Sequence, residues 1–295
     1  MADLVQFAYN MYTAGSPGQL MPPPDPGIDR AGYRLTFWLS ARDLHDTVFY
    51  GYIAQSKTEP GDIVLAIRGT QSPAEWLLDF SALPVFFHAD ANVGLVALGF
   101  QSIEESFAFL DGTGVSSSLA DAVARISAQS TIRSFTVLGH SLGAALATLA
   151  AAELAARNTV GVKPLLTLYT FASPRVGLLD FAAWCTANVA NTYRIWNLLD
   201  IVPETPTFPY IHVAGLGDCL VQTTEQLAQL SKLPRCEHNL RSYQWLLDPA
   251  NFSLDNGCST AAPVAGVMTA EILAPGADTQ TQGAISLARA MGGRG

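Results

Sequence analysis

The spacing of apolar residues predicts a strand meander followed by an alternation of strands and helices. Aromatic and β-branched residues over 33–40, 46–56 and 62–70 are typical of strands, and a turn is expected at 42–45. Farther along, short apolar runs alternate with segments of helical period. They predict strands at 134–139, 165–174 and 192–200, and helices at 3–14, 98–110, 118–130, 142–157, 178–189 and 240–247. Such alternation implies a mostly parallel sheet with helices on both faces.

Two segments depart from this pattern. The prolines of 21–27 interrupt regular structure, and because no polar low-complexity tract accompanies them, a surface loop is expected rather than a linker. The tail at 259–295 is rich in Ala, Gly and Thr, and only a helix at 283–291 is predicted in it. We therefore predict a single domain over 1–295.

Composition narrows the class of protein. The chain has 295 residues, 49% of them hydrophobic and 14% charged, which favours a compact, enzyme-sized globular protein. A net charge of -9 without a basic cluster argues against nucleic-acid binding. No apolar run reaches the roughly 18 to 20 residues that span a bilayer. The N-terminus lacks the basic and apolar segments of a signal peptide, which leaves a cytoplasmic protein and the mature form of an extracellular one both open.

The four cysteines do not predict a metal site. Cys185, Cys219, Cys236 and Cys258 are too far apart for paired C-x-x-C zinc ligands. They can pair in three ways or stay reduced. If one disulfide forms, we expect Cys219 with Cys236, because these two bracket one loop-like segment.

One junction contains a candidate nucleophile. Residues 139–143 read Gly-His-Ser-Leu-Gly, between a predicted buried strand and an alanine-rich helix. A strand that turns directly into a helix forces its junction residue into a sparsely populated backbone conformation. Ser141 then projects at the carboxyl edge of the sheet, where open α/β sheets bind ligands. The N-terminus of the helix supplies free N–H groups, and the Leu142 N–H is the natural donor to an oxyanion.

Several segments, in matching order, carry a resemblance to a known family. TVLGHSLGAALATLAA resembles the nucleophile segment of the fungal-type (class 3) lipase family of α/β-hydrolases. IVLAIRGT, followed by Trp76 and Asp79, is similar to the oxyanion strand and lid start of that family, FASPRVG to its next strand and RIWNLLDIVPETP to its acid segment. Ala144 and Leu178 depart from the usual Gly and Asn. The resemblance covers roughly residues 30–250 and implies an α/β-hydrolase fold with a short helical lid.

The base is sought among the histidines that follow the nucleophile. In α/β-hydrolases the chain order is Ser, acid, His, which excludes the histidines before Ser141. His212 lies in an apolar, strand-like run, whereas His238 lies where a polar loop enters a helix. The resemblance implies that the base belongs to an H-x-x-x-x-Y segment, here His238 to Tyr243. We predict His238 as the base and His212 as a structural histidine near the site.

The acid and the second oxyanion donor are sought at strand ends. Asp200 ends the strand predicted at 192–200 and is well placed to accept a hydrogen bond from the Nδ1–H of the base. Asp218 is the alternative, although a turn role suits it better. The resemblance assigns the second oxyanion donor to Thr70, which follows Arg-Gly; capping of the next helix is its alternative role.

The connection after Thr70 is unusually apolar. Residues 73–87 include Trp76, Phe80 and six further large apolar side chains, which cannot all face water. We predict a lid over about 71–87 that opens at a lipid–water interface; a helix packed permanently on the core is the alternative. Trp76, Phe80, His140 and Val202 are the predicted substrate-binding residues.

The resulting hypothesis is ester hydrolysis through an acyl-enzyme on Ser141, without a cofactor or metal. A lipase acting on acylglycerols is the first prediction, with a lipid or another ester as the substrate. A feruloyl or acetyl esterase and a phospholipase A1 use the same triad and stay open. A non-catalytic binding protein on this scaffold is disfavoured because the Ser, the acid and the His are all present. The oligomeric state stays open.

Overall fold

The computed structural model describes residues 1–43, 46–70, 81–189, 191–215, 217–220, 223–230 and 236–254. All of them belong to one compact unit, Met1–Ala261. The predicted helix at 283–291 lies outside the described residues, so the prediction of a single domain over 1–295 stays a prediction.

A nine-stranded sheet forms the centre of this unit. Its order is β11-β10-β9-β8-β3-β2-β1-β6-β7, and a separate two-stranded sheet pairs β4 with β5. The strands are β1 Tyr33–Arg42, β2 Thr47–Ser56, β3 Asp62–Ile67, β4 Pro84–Phe86, β5 Leu95–Ala97, β6 Ala108–Leu110, β7 Ser116–Ser117, β8 Ser134–His140, β9 Leu166–Phe171, β10 Asn191–Trp196 and β11 Gly217–Leu220.

The large sheet is mixed. Strands β3, β8, β9, β10 and β11 run parallel to one another, as alternating strands and helices predict. The first two strands pair antiparallel as a meander, and β2 continues antiparallel onto β3. The carboxyl ends of β8 and its neighbours therefore meet at one edge, and this edge carries the candidate site.

Helices cover both faces of the sheet. The helices are α1 Ala2–Ala14, α2 Pro26–Arg30, α3 Leu98–Glu104, α4 Leu119–Ser127, α5 Leu142–Arg157, α6 Leu179–Asn188, α7 Thr224–Leu230 and α8 Leu240–Leu247. One apolar core contains side chains of α3, α4, α5 and α6, and a second core contains those of α1, α2 and α8. None of the helices in the described ranges has both the length and the apolarity needed to cross a membrane.

Two predicted elements differ from the structure. The helix predicted at 98–110 ends at Glu104, and Ala108–Leu110 forms strand β6 beside β1. Phe107 and Phe109 contribute apolar spacing that suits either structure, and pairing with Trp38, Leu39 and Ser40 selects the strand. Within the proline-rich segment, Pro26 begins the short helix α2, because Asp25 caps it by accepting a hydrogen bond from the Gly27 N–H at 2.6 Å.

Candidate active site

Ser141 lies at a strained turn between β8 and α5. Its backbone angles are φ 59° and ψ -129°, in a region that residues with a side chain rarely occupy. Such strain costs about 1–3 kcal/mol and persists only when its surroundings enforce it. The Ser141 N–H donates to the Phe171 carbonyl of β9 at 2.9 Å, and α5 begins immediately after it. The conformation predicted for this junction is thus present.

The flanking glycines allow the turn to be this sharp. A Cβ at Gly139 would lie 2.0 Å from the carbonyl oxygen of Gly143. A Cβ at Gly143 would lie 2.4 Å from the carbonyl oxygen of Arg68, beyond the end of β3. Both distances are far below van der Waals contact, so only glycine fits at either position.

We expect Gly139→Ala to lower the free energy of unfolding by about 3 kcal/mol, because the new methyl group must displace main-chain atoms of the turn. Gly112→Ala is the matched control, because a Cβ there has no atom within 4 Å and its cost should stay within about 0.5 kcal/mol. Urea unfolding followed by circular dichroism measures both. Equal stabilities of the two variants would contradict the steric account.

A continuous hydrogen-bonded triad converges on this turn. Ser141 Oγ lies 2.6 Å from His238 Nε2. The other ring nitrogen, His238 Nδ1, lies 2.9 and 2.8 Å from the two carboxylate oxygens of Asp200. The structure thus brings together the three residues that the sequence predicts as nucleophile, base and acid. They come from the end of β8, the loop before α8 and the turn after β10.

Two further groups hold the Asp200 carboxylate. The Tyr243 hydroxyl donates to Asp200 Oδ2 at 2.7 Å, and the Val202 N–H donates to Oδ1 at 3.0 Å. Asp200 is buried, with 4% of its surface exposed. Since each oxygen contacts His238 Nδ1 and also accepts from a second donor, these contacts hold the carboxylate with both oxygens towards His238.

His212 has a structural position, as the sequence predicts. Its Nε2 donates to the carbonyl oxygen of Pro203 at 2.7 Å. Burial lowers its pKa well below the usual value, and the nearby charges of Arg194 and Arg175 act in the same direction. The neutral ring ties the segment after Tyr210 to the turn that follows Asp200.

His140 is the predicted substrate-binding residue beside Ser141, and a contact between it and substrate stays a prediction. The ring is buried, and both of its nitrogens are engaged within the protein. Its Nδ1 lies 2.8 Å from the Tyr9 hydroxyl, and its Nε2 lies 2.9 Å from the carbonyl oxygen of His238. Because that carbonyl can only accept, Nε2 carries the proton and the Tyr9 hydroxyl donates to Nδ1. Burial, and to a lesser degree the charge of His238, lower the pKa of His140 well below the usual value, so the ring is neutral.

The predicted oxyanion donors lie on either side of Ser141. A Cβ at Gly69 would lie 2.8 Å from the Cβ of Ser141, so the loop after β3 passes directly against the serine and Thr70 is the next residue. Leu142 is the first residue of α5, and the N–H groups of a first helical turn have no acceptor within the helix. The site therefore places the predicted main-chain donor, the Leu142 N–H, near the loop that contains Gly69 and Thr70.

Comparisons with known proteins agree with this geometry. The pattern described as "Lipase (class 3)" matches residues 64–210. The crystal structure of a mutant form of MDLA from Penicillium cyclopium is 30% identical, covering 74% of this chain and 77% of that one with a TM-score of 0.56. The chain belongs to the class 3 lipase family. Its architecture is the α/β-hydrolase fold that the sequence predicts.

Relatives of this chain are named for more than one activity. The secreted mono- and diacylglycerol lipase A of Penicillium cyclopium is 32% identical over 64% of this chain and 57% of its own length. Phospholipase A1-II 3 of Oryza sativa subsp. japonica is 30% identical over 85% of this chain and 64% of its own length. The chain thus spans less than two thirds of either relative.

Tyr9 is a site residue of this family member that the sequence pattern does not indicate. Apolar spacing over 3–14 predicts a helix against the core, and a tyrosine there is usually a core residue. In the structure, its hydroxyl accepts from the Gly69 N–H at 2.8 Å and donates to His140. Burial raises its pKa, so the hydroxyl keeps its proton. One hydroxyl thereby joins the loop before Thr70 to the histidine that holds the His238 carbonyl.

We expect Tyr9→Phe to lower the free energy of unfolding by about 1–3 kcal/mol, because it leaves the buried Gly69 N–H and His140 Nδ1 without partners. We also expect kcat for ester hydrolysis to fall about tenfold, because the loop and the base lose a common support. Tyr193→Phe, on a ring that stacks on Tyr169, is the control. If both variants keep parental kcat, the hydroxyl does not support the site.

Three other predictions end at the limits of the described residues. Trp76 and Phe80, and the lid over 71–80, lie outside them. At the end of the predicted lid over 71–87, Pro84–Phe86 forms strand β4 against β5 and Phe87 is buried in the core, and the opening of the lid stays a prediction. The side chain of Cys219 also lies outside the described residues, so its pairing with Cys236 stays a prediction.

Val202, another predicted substrate-binding residue, has a buried side chain and a main-chain contact with Asp200. Its side chain is buried, with 2% of the residue exposed, and its N–H is used to hold Asp200. Its contact with substrate therefore stays a prediction, and the structure shows a main-chain contact with the Asp200 carboxylate.

Proposed function

We propose that this chain is a serine ester hydrolase that cleaves acylglycerol esters through an acyl-enzyme on Ser141. The observation that carries the proposal is the contact of 2.6 Å from Ser141 Oγ to His238 Nε2, continued from Nδ1 to Asp200. It supports Ser141 as nucleophile, His238 as general base and Asp200 as the acid.

Protons move between side chains, substrate and water in this mechanism. As Ser141 Oγ attacks the ester carbonyl, its proton passes to His238 Nε2, while Asp200 accepts from Nδ1–H and selects the tautomer that can take this proton. The imidazolium then donates the proton to the departing alcohol oxygen. Water next attacks the acyl-enzyme, with His238 again as base, and the carboxylic acid leaves. No cofactor takes part.

The oxyanion of each tetrahedral intermediate needs donors that are already in place. The Leu142 N–H, at the positive end of α5, and Thr70, beside Gly69, are the proposed pair. The hydrogen bond from Gly69 to Tyr9 fixes the main chain just before Thr70. Such preorganised donors stabilise the transition state most when the loop does not have to rearrange as charge develops.

An apolar rim supports a lipid substrate. We define the apolar rim as five exposed large apolar residues on the chain after Asp200 and on segments linked to it: Leu83, Phe86, Leu179, Ile201 and Phe208. Their segments are joined by hydrogen bonds, since the Tyr210 hydroxyl donates to the Ala82 carbonyl oxygen at 2.5 Å and Gly177 bridges to both Val96 and Ile211. Exposed apolar groups gathered in this way are typical of lipid and partner contacts.

The apolar rim also supports the proposal that the residues before Leu83 form a lid. Residues 71–80 connect the loop at Thr70 to this rim, and their composition is apolar. We propose that this segment shields the site in water and opens at a lipid–water interface. The fixed strand β4 limits the movable part to residues before 84.

Labelling and a substrate panel test the proposal. A fluorophosphonate probe should label folded protein at Ser141, identified by peptide mass spectrometry, and heat-denatured protein should stay unlabelled. The panel contains emulsified tri-, di- and monoacylglycerols, and nitrophenyl esters of short and long chain, each below and above the solubility limit. Absence of labelling would revive a binding protein on this scaffold, and labelling with hydrolysis of feruloyl or acetyl esters alone would reject the lipid substrate.

A phospholipase A1 is the second candidate. The observation that favours it is the rice phospholipase A1 relative, which aligns over 85% of this chain. Phosphatidylcholine vesicles added to the panel separate the two candidates, because acyl release from the sn-1 position at a rate above that for acylglycerols would favour the phospholipase.

A further inference from the structure

A second cluster of ionisable side chains lies away from the triad, between helices α3 and α5 and the loop after β4. His88, Glu104 and Glu153 each place one nitrogen or oxygen within 4.8 Å of those of the other two. Glu153 lies about three helical turns beyond Ser141 along α5. The acyl-transfer mechanism does not use this cluster.

Glu104 is the buried member of the cluster. Its side chain has no exposed surface, and its Oε2 lies 2.6 Å from His88 Nε2. Its second oxygen, Oε1, is buried without a hydrogen-bond partner. A buried carboxylate with an unused oxygen is expensive unless something neutralises it. Burial, with a smaller contribution from Glu153, raises the pKa of Glu104 to about 7, although the hydrogen bond to His88 acts in the opposite direction.

The side chains present compensate this charge only in part. Glu153 Oε1 accepts from Arg157 Nε at 2.8 Å, but the arginine side chain is 44% exposed and interacts with Glu153 rather than with Glu104. Two carboxylates therefore face one imidazole and one solvated guanidinium. The His88 side chain is 20% exposed and that of Glu153 13% exposed, so the cluster has an opening to water.

The donor set suits a divalent transition-metal ion. Imidazole nitrogen with two carboxylate oxygens is a ligand combination used by Zn²⁺, with bonds of about 2.0–2.2 Å. Tetrahedral ligands at that bond length lie about 3.4 Å apart. The contact between His88 and Glu104 must widen by less than 1 Å to reach it. The main chain of His88 is held in place, because its N–H donates to Gln101 Oε1 at 3.0 Å.

We propose that His88, Glu104 and Glu153 bind one divalent transition-metal ion, with Zn²⁺ as the representative, and that water completes its coordination. The ion joins the loop after β4 to α3 and α5. Because these ligands converge only in the folded chain, binding stabilises the fold by mass action. The role is structural, and the proposal does not depend on ester hydrolysis.

The test uses the full chain after EDTA treatment and dialysis. Isothermal titration with Zn²⁺ at pH 7.5 should show one site that Glu104→Gln weakens on the order of a hundredfold. Zn²⁺ should raise the Tm of the parent chain but not that of Glu104→Gln. Glu105→Gln is the matched control: this neighbouring glutamate is exposed, and the variant should bind Zn²⁺ as the parent chain does.

A second variant keeps the test decisive. If Glu104→Gln does not fold, His88→Gln, at a partly exposed position, takes its place and should show the same loss. Two results overturn the proposal: a parent chain that does not bind Zn²⁺, or equal binding and equal Tm shifts in Glu104→Gln and Glu105→Gln. The second result would place the ion elsewhere on the chain.

Discussion

Ser141→Ala should lower kcat for ester hydrolysis about 10⁴- to 10⁶-fold while leaving the fold intact. The substitution removes the only atom of this residue that can form the acyl-enzyme, and only oxyanion stabilisation and substrate binding can then assist water. Alanine is strained at φ 59° much as serine is, so the elbow keeps its geometry. The measurement is the initial rate on a nitrophenyl ester and on emulsified acylglycerol, with circular dichroism as the check on folding.

Ser134→Ala is the matched control for this prediction. Ser134 begins the same strand β8, at its opposite end, and its hydroxyl donates to Asp62 Oδ1 at 3.0 Å. The control should retain parental kcat. His238→Ala should lose about as much activity as Ser141→Ala, and the double variant should lose little more, because the two residues act as one unit. A Ser141→Ala variant with parental rates would show that the mechanism is wrong.

Asp200→Asn should lower kcat about 10⁴-fold. An asparagine of the same shape turns an N–H donor towards His238 Nδ1, where Asp200 now accepts at 2.8 and 2.9 Å. The imidazole must then carry its proton on Nε2, and it cannot take the proton of Ser141. The rate on nitrophenyl esters is to be measured from pH 6 to 9, because a variant whose pH profile is only shifted would regain the parental rate at one end of this range.

Two further variants test whether the loss of activity is specific to the Asp200 carboxylate. Asp218→Asn tests the alternative acid and should leave kcat unchanged. Tyr243→Phe removes one of the donors to Asp200 Oδ2 and should cost much less, about tenfold, because the Val202 N–H still orients the carboxylate. A large loss in Asp218→Asn together with a small one in Asp200→Asn would assign the acid to Asp218.

The convergence of Ser141, Asp200 and His238 could be predicted because these residues carry local signals. The Gly-His-Ser-Leu-Gly turn has a strand before it and a helix after it, and Asp200 and His238 lie at a strand end and before a helix, in hydrolase order. Each signal depends on residues within a few positions. The strand β6 was mispredicted as helix for the same reason, since a short apolar run at 107–110 has no local feature that selects its partner.

The roles of His140 and Val202 could not be predicted in this way. Sequence places both beside catalytic residues, which favours substrate contact. The structure directs the His140 ring to Tyr9 and to the His238 carbonyl, and it uses the Val202 N–H for Asp200. Those partners lie far along the chain from one another, and only packing of α1 against the sheet brings Tyr9 to the site.

Local signals in the chain account for the strained serine between two glycines, the order of Ser141, Asp200 and His238, and the alternation that builds a parallel sheet. These features follow from local backbone sterics and apolar periodicity, which act over a few residues. Long-range packing was needed to bring Tyr9 and His140 to the His238 carbonyl and to make His88, Glu104 and Glu153 converge. Those contacts arise when helices pack on opposite faces of one sheet, because burial then requires distant polar groups to satisfy one another.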